Sequence, residues 1–329
     1  MCSRWLVWLV VASAVAPLSA GEDEPRIQEH FGLCDASAAV AVDAEHFLVA
    51  SDEDSRLCLY RVDHPGPPEQ VFDLGEFLRI GGEHPETDLE AATRVGERVY
   101  WVTSHGRNIA GKKRQNRCRF FATLIKQAEG RIWIEPEGQP YVRLLEDLFS
   151  EPSLKPYGLK AAAKKAPKEP DALNIEGLVG TPEGHLWIGF RNPIPHGRAL
   201  IVPLLNPAAV IAGQRARLGQ AMEVDLGGLG IRDLGFADGR YLIVAGHYDG
   251  RGHGRLFLWD GGASVPEKIE HTHLKGLNPE AVIFYPGQGL RHFQLLSDDG
   301  NREIDGCRCK DLKDRSQQRF RSVWIGTEK

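Results

Sequence analysis

The chain has 329 residues, 26% of them charged and 42% hydrophobic, with a formal net charge of −5. That balance excludes a generally basic nucleic-acid binder and leaves enough apolar material for a large core. Nothing downstream of Ala20 is long and apolar enough to cross a bilayer as a helix, which takes about 20 residues.

At the N-terminus Arg4 precedes an apolar run from Trp5 to Ala16, then Pro17 and the small residues Ser19, Ala20 and Gly21. This is the layout of a secretory signal peptide, with cleavage expected after Ala20 and a periplasmic or secreted mature protein. The residue directly after that point is Gly21, not Cys, so a lipoprotein is not expected. Residues 21–329 are read as a single domain. The mature chain keeps Cys34, Cys58, Cys118, Cys307 and Cys309, an odd number, so at least one thiol stays free or pairs between chains. Cys307-Arg308-Cys309 is too tightly spaced for structural zinc and has no second ligand pair.

From there the chain repeats. Ser37–Val42 and Phe47–Asp52, Glu90–Val95 and Val99–His105, Asn174–Val179 and His185–Arg191, Asp233–Phe236 and Tyr241–His247, and Glu280–Phe284 and Phe293–Asp298 are five pairs of short apolar runs. Each pair is joined by a turn, the pattern of a β-hairpin. The spacing from first to last residue is 15 for Ser37–Asp52, Glu90–His105 and Glu176–Arg191, 14 for Asp233–His247 and 18 for Glu280–Asp298. A third apolar run follows each hairpin, at Leu57–Val62, Arg119–Ile125, Ala199–Leu205, Arg255–Trp259 and, more weakly, Cys307–Leu312. Fourth runs are read at Gln70–Leu74, Arg131–Ile134, Ala221–Leu226 and Phe320–Ile325. Four antiparallel strands repeated about five times predict an all-β, five-bladed β-propeller. Six blades stay open if Arg26–Leu33 or the insertion Pro140–Ala172 hides strands. That insertion carries a helical-looking Val142–Phe149 and a lysine-rich Lys160–Lys168; Asn206–Gln220 reads as a short helix.

In a propeller the innermost strand begins at the mouth where the second strand ends. Ser37, Glu90, Glu176, Asp233 and Glu280 are then expected to form one ring there, and Asp52, His105, Arg191, His247 and Asp298 a second beside it. Carboxylates crowded around one channel repel unless a cation, a proton or basic neighbours compensate them. Glu90, Glu176, Asp233 and Glu280 are therefore candidate ligands of a divalent cation: oxygen donors suit a hard ion, Ca²⁺ first or Mg²⁺, while His105 and His247 would also allow a softer transition metal. The competing reading is that these residues tie adjacent blades, Arg191 pairing with Glu176 or Asp233. Over the mouth, Arg107, Lys112, Lys113, Arg114 and Arg117 in one loop and Lys155, Lys160, Lys164, Lys165 and Lys168 in the insertion would form a basic canopy that attracts an anion. The loop His247–Gly254 belongs to the same face, where its glycines allow backbone to approach a ligand. A disulfide between Cys34 and Cys307 or Cys309 would join the start of the first blade to the last.

The nucleophile elbow, the H-E-x-x-H zinc helix, the complete phosphate-binding G-x-x-x-x-G-K-[ST] loop and the dinucleotide fingerprint are all absent from the sequence. Leu173–Leu178, Ile188–Pro193 and Gly197–Leu204, supported by Ile231–Leu234 and Asn278–Val282, resemble the bacterial family called domain of unknown function 3616. The family name implies no reaction. More distantly, the Glu-Gly/Ala-apolar start of the hairpins is similar to that of phytase-like esterase propellers. That similarity implies an exported propeller and a metal-assisted ester hydrolase.

The functional expectation is an exported monomer whose acidic mouth binds a divalent cation and an anionic small molecule, as in an ester or phosphoester hydrolase. In that scheme His105 or His247 acts as acid or base, Arg191 clamps the anion, and Asp52, Asp298, Lys112 and Lys113 contact the ligand. The alternative is a non-catalytic module that recognises an envelope protein or glycan on the same face.

Overall fold

The structure is a computed structural model that describes residues 27–270 and 274–326; the expected signal peptide lies outside the described residues. In chain order, β1 (Ile27–Phe31) precedes the first blade, made of β2 (Ala38–Ala41), β3 (His46–Ala50), β4 (Arg56–Arg61) and β5 (Gln70–Asp73). Blade 2 is β6 (Leu89–Val95), β7 (Arg98–Thr103), β8 (Phe120–Ala128) and β9 (Arg131–Tyr141). Blade 3 is β10 (Asn174–Gly180), β11 (Leu186–Asn192), β12 (Ala199–Leu204) and β13 (Met222–Val224). Blade 4 is β14 (Gly230–Ala237), β15 (Arg240–Gly246), β16 (Arg255–Trp259) and β17 (Glu267–Ile269). Blade 5 begins with β18 (Pro279–Ile283) and β19 (His292–Ser297). A two-stranded excursion, β20 (Glu303–Ile304) and β21 (Cys307–Arg308), comes before its third strand, β22 (Arg319–Gly326).

All pairings are antiparallel, and each blade is a four-stranded sheet in sequence order except the last, whose order is β18-β19-β22-β1. The five inner strands contact one another in a closed circuit, β2 to β6, β6 to β10, β10 to β14, β14 to β18 and β18 back to β2. The fold is therefore the five-bladed propeller that the repeat predicts.

Two strand assignments change. Cys307–Leu312 is not the third strand of blade 5, because that segment turns back on itself in the β20–β21 hairpin; Phe320–Ile325 takes the third position rather than the fourth. The Arg26–Leu33 segment does hide a strand, but it supplies the fourth strand of blade 5 instead of a sixth blade: Ile27–Phe31 pairs with Val323–Arg319. One end of the chain thus completes a sheet built by the other. The short fourth strand of blade 4, Glu267–Ile269, was not read from the sequence.

Packing follows from the alternation within each strand. Side chains on the two faces of a blade meet those of the two neighbouring blades, so most of the apolar core falls into five clusters, one at each interface between blades. The largest lies between blades 2 and 3, where α1 (Leu144–Ser150) and α2 (Leu159–Ala162) of the insertion add Leu144, Leu148, Leu159 and Ala162 to it. Full burial of each Leu or Phe contributes about 1.5–3 kcal/mol. The insertion is thus anchored by burial and does not float free over the ring. As expected, α3 (Pro207–Ile211) is a short helix late in blade 3.

Candidate functional site

The starts of the inner strands and the loops between second and third strands open on the same end of the channel. Together they line a cavity of about 620 Å³. A second cavity of about 680 Å³ lies at the opposite end, walled by apolar residues such as Val40, Val179, Leu234 and Phe284.

A recurring distortion aims the polar residues into the first cavity. The β-ladder slips at Glu90 in β6, at Glu176 in β10, at Arg232 in β14 and at Glu280 in β18. A bulge inserts one residue without a partner in the ladder and re-aims its side chain. These four side chains all line the cavity, joined two positions earlier by Asp88, Asn174 and Asn278. In blade 1 the corresponding residue is Asp35, two before Ser37. This second set was missed, although its signal is visible as Asp-x-Ser, Asp-x-Glu, Asn-x-Glu and Asn-x-Glu at the start of four hairpins.

Blade 4 departs from the expected ring. Asp233 does not reach the cavity: its Oδ1 accepts from Leu234 N and its Oδ2 from Val282 N, both at 2.8 Å, tying blade 4 to blade 5. Arg232 occupies the place assigned to it. The sequence carried this signal too, because Arg232 to His247 spans 15 positions, the spacing of Glu90–His105 and Glu176–Arg191.

The substitution of a base for an acid reorganises the ring electrostatically. Arg232, only 4% exposed, forms an ion pair with Glu280 and lies with its Nε 3.5 Å from Glu176 Oε2, while its Nη1 donates to Asn278 Oδ1 at 2.8 Å. Arg191 donates to Glu176 Oε1 at 2.5 Å and to the backbone oxygen of His247 at 3.3 Å. Asn174 Nδ2 reaches the same Glu176 oxygen at 2.7 Å. Two expected metal ligands, Glu176 and Glu280, are thus already paired with guanidinium groups. Burial, and then the charge of Arg191, pushes Arg232 down to about 10.

On the side of blades 1 and 2 the carboxylates are not matched in this way. Asp35, Asp52 and Glu53 can each offer an oxygen such that all three lie within 4.8 Å of one another. Asp35 is 4% exposed and its Oδ2 has no hydrogen-bond partner, nor does the buried Oδ1 of Asp52. Burial, followed by the neighbouring Asp52, pushes Asp35 up to about 11; burial and then Asp88 drive Asp52 well above the carboxylate range. Glu90 is raised in the same way by burial and then by Glu176. Burial raises Asp88 too, but only to about 7, because Arg117 donates to it at 2.7 Å; Arg117 also pairs with Glu86. Burial alone would raise Asp298 as well, yet the hydrogen bond from Asp35 and the charge of Arg232 outweigh it and hold Asp298 low.

Of the residues expected at the site, the cavity brings together Asp52, Glu90, Glu176, Arg191, Glu280 and Asp298. His105 lies behind it, buried, with Nδ1 2.8 Å from the Thr103 oxygen and Nε2 unpartnered. Burial pushes it down to about 4, so it is neutral at pH 7. His247 is exposed and contributes its backbone oxygen; Tyr248 and Gly250 of its loop form the wall. Lys112 and Lys113 point to solvent away from the cavity, and of the basic canopy only Arg117 and Lys168 line it. Arg308 and Lys310, which follow the last hairpin, also line it.

Residues 137–288 match the family described as "Protein of unknown function (DUF3616)". The match runs from β9 past β18, takes in blades 3 and 4 whole, and bears out the resemblance read from the sequence. No protein of curated function matches the chain. Among solved structures the chain is similar to the glutaminyl cyclase of Myxococcus xanthus, at 12% identity and a TM-score of 0.47, covering 92% of this chain and 96% of that one. It is also similar to the PQQ-bound aldose sugar dehydrogenase of Streptomyces coelicolor, at 13% identity and 0.42, covering 92% and 99%. A gluconolactonase from Xanthomonas campestris gives 12% identity and 0.40, covering 84% and 74%. At these identities and scores none of them informs the chemistry of the mouth.

Proposed function

We propose that this protein is exported, with its signal peptide removed behind Ala20, and that the polar mouth of its single propeller domain binds a divalent cation together with a small anion. The cation sits among Asp35, Asp52 and Glu53, whose all-oxygen donor set suits a hard ion, Ca²⁺ first. The anion lies across the cavity against Arg191 and Lys168. One observation carries this reading: a buried carboxylate, Asp35, has an oxygen with no partner and two further carboxylates within coordination reach. An enclosed carboxyl of that kind normally finds a partner.

The chemistry best suited to such a pair is hydrolysis of an ester or phosphoester. A bound cation polarises the ester oxygen and makes a water more acidic. Glu90, which lines the cavity and whose carboxyl is raised well above the usual range by burial and then by Glu176, is the candidate to give a proton to the leaving group. Export fits the disulfide Cys34–Cys309, since such bonds persist in oxidising compartments. No helix among the described residues is long and apolar enough to cross a membrane.

Thermal unfolding in EDTA and in Ca²⁺, Mg²⁺ or Mn²⁺ tests the cation. A cation-dependent rise in Tm that Asp35→Asn removes is expected; no rise with any ion would overturn the site. A panel of carboxylic and phosphoric esters tests the reaction, with Glu90→Gln expected to stop turnover. Cation binding without turnover of any ester would retire hydrolysis and leave a ligand-binding module.

A further inference from the structure

Resting on that reading of the cation site, we infer that the Cys34–Cys309 disulfide is what assembles it, so that the protein takes up its cation only in the oxidised form. Cys34 immediately precedes Asp35, and Cys309 immediately precedes Lys310; Asp35 and Lys310 both line the cavity. The bond joins residues 275 positions apart with their Cα atoms 5.8 Å apart.

Ring closure does not depend on this bond. It is made by β1, which pairs with β22 from Ile27–Val323 to Phe31–Arg319. Two side-chain hydrogen bonds reinforce it, His30 Nε2 to Ser322 Oγ and Trp324 Nε1 to Gln28 Oε1, each 3.0 Å. What the disulfide holds is local. It fastens the segment carrying Asp35 to the 299–318 loop, which otherwise meets blade 1 and that segment through Asp299 N to Cys34 O at 3.1 Å, Gly32 N to Gln318 O at 2.9 Å, the Asp35–Asp298 bridge at the start of the loop, an Arg315–Asp54 ion pair at 2.7 Å and a small cluster of Cys34, Ile304 and Cys309. The Asp35 carboxylate is seated directly against that loop: a Cβ added at Gly300 would fall 1.7 Å from Asp35 Oδ1. Position of the loop therefore sets position of the ligand oxygen.

A small side cavity of about 230 Å³ lies beside this segment, lined by Cys34, Asp35, Lys310, Lys313 and Arg315. Reduction by a dithiol breaks the Cys34–Cys309 bond, moves two electrons and two protons onto the two sulfurs, and leaves the reductant as its own disulfide. The loop is then held to the first blade only by hydrogen bonds, the Arg315–Asp54 pair and that small cluster, and Asp35 loses its fixed seat. The site is thus completed after export, once the chain meets an oxidising compartment.

Calorimetric titration with Ca²⁺, or with whichever of Mg²⁺ and Mn²⁺ raises Tm most, decides the matter. The proteins are oxidised wild type, wild type reduced with dithiothreitol, and Cys34→Ser/Cys309→Ser. Affinity is expected to fall on the order of tenfold to a hundredfold in the last two, as when a group that orients a metal ligand is lost. Cys307→Ser, which keeps the disulfide, is expected to bind as wild type does. Equal affinity in the oxidised and reduced forms would overturn the inference while leaving the cation site standing. Failure of oxidised wild type to bind any of the ions would overturn the site and the inference together. A double-serine variant without the far-UV dichroism of a folded propeller would refute the claim that the ring closes without the bond.

Discussion

Replacing Arg232 with Met gives the most demanding check on the electrostatics of the mouth. Arg232 holds an ion pair with Glu280, a hydrogen bond to Asn278 at 2.8 Å and a 3.5 Å contact with Glu176. Met keeps most of the length and the apolar stem but removes the charge. Glu176 would keep Arg191 at 2.5 Å and Asn174 at 2.7 Å, so little of the cost falls there. Glu280 is 7% exposed, and among the described residues no other basic side chain lies within ion-pair distance of it. An uncompensated buried carboxylate costs about 3–5 kcal/mol, a large part of the 5–15 kcal/mol by which proteins are usually stable. Urea denaturation at pH 7.5, followed by tryptophan fluorescence, reads this directly. Adding Glu280→Gln to the variant removes the stranded charge and should recover about 2 kcal/mol or more, within the range for directly interacting residues. A loss below about 1 kcal/mol for Arg232→Met, or no recovery in the double variant, would refute the assignment of Arg232 as the counter-charge of the ring.

Two further perturbations follow from burial and close contact. His30 and His105 are both buried and pushed down from 6.5 to about 4 by that burial. The unfolded chain takes up protons near pH 6.5 that the folded chain refuses, so each imidazole leaves stability intact above that pH and lowers it between 6.5 and 4, by roughly 2–3 kcal/mol at pH 4.5. The raised carboxyls of Asp35 and Asp52 act in the opposite direction. The difference between wild type and His105→Gln across this window therefore isolates the imidazole, and parallel pH profiles would refute the effect. Gly230→Ala places a Cβ 1.9 Å from the Arg191 backbone oxygen, which cannot yield without moving β11. A loss of about 3 kcal/mol or more in urea is expected, against almost none for Gly81→Ala, where nothing lies within 4 Å.

How far the sequence could be read depended on how local the determining contact is. The five inner hairpins were legible because each is a contiguous pair of apolar runs with its own turn, and every one formed. Blade 5 was misread beyond its hairpin because its fourth strand comes from residues 27–31, nearly 300 positions away, and no local pattern announces that partner. The disulfide is the exception among distant contacts, since a ring brings its first and last segments together whatever lies between. Cys309 rather than Cys307 is the partner, and Cys307 is instead paired with Ile304 in the β20–β21 hairpin.

At the mouth the difficulty was a register of one residue. Strand periodicity is two, so a single bulge exchanges the residue facing the channel for the one facing the next blade. In blades 2, 3 and 5 the bulged residue is the glutamate that a hairpin alignment selects, and the expected ring holds. In blade 4 the alignment selects Asp233, 14 positions before His247, while the bulge falls on Arg232. That one position changes the chemistry of the whole mouth. Four carboxylates around a channel would need a cation, a proton or basic neighbours to compensate them, and a guanidinium between Glu176 and Glu280 satisfies that side internally. It leaves the unmatched negative groups on blades 1 and 2, where Asp35, Asp52 and Glu53 converge.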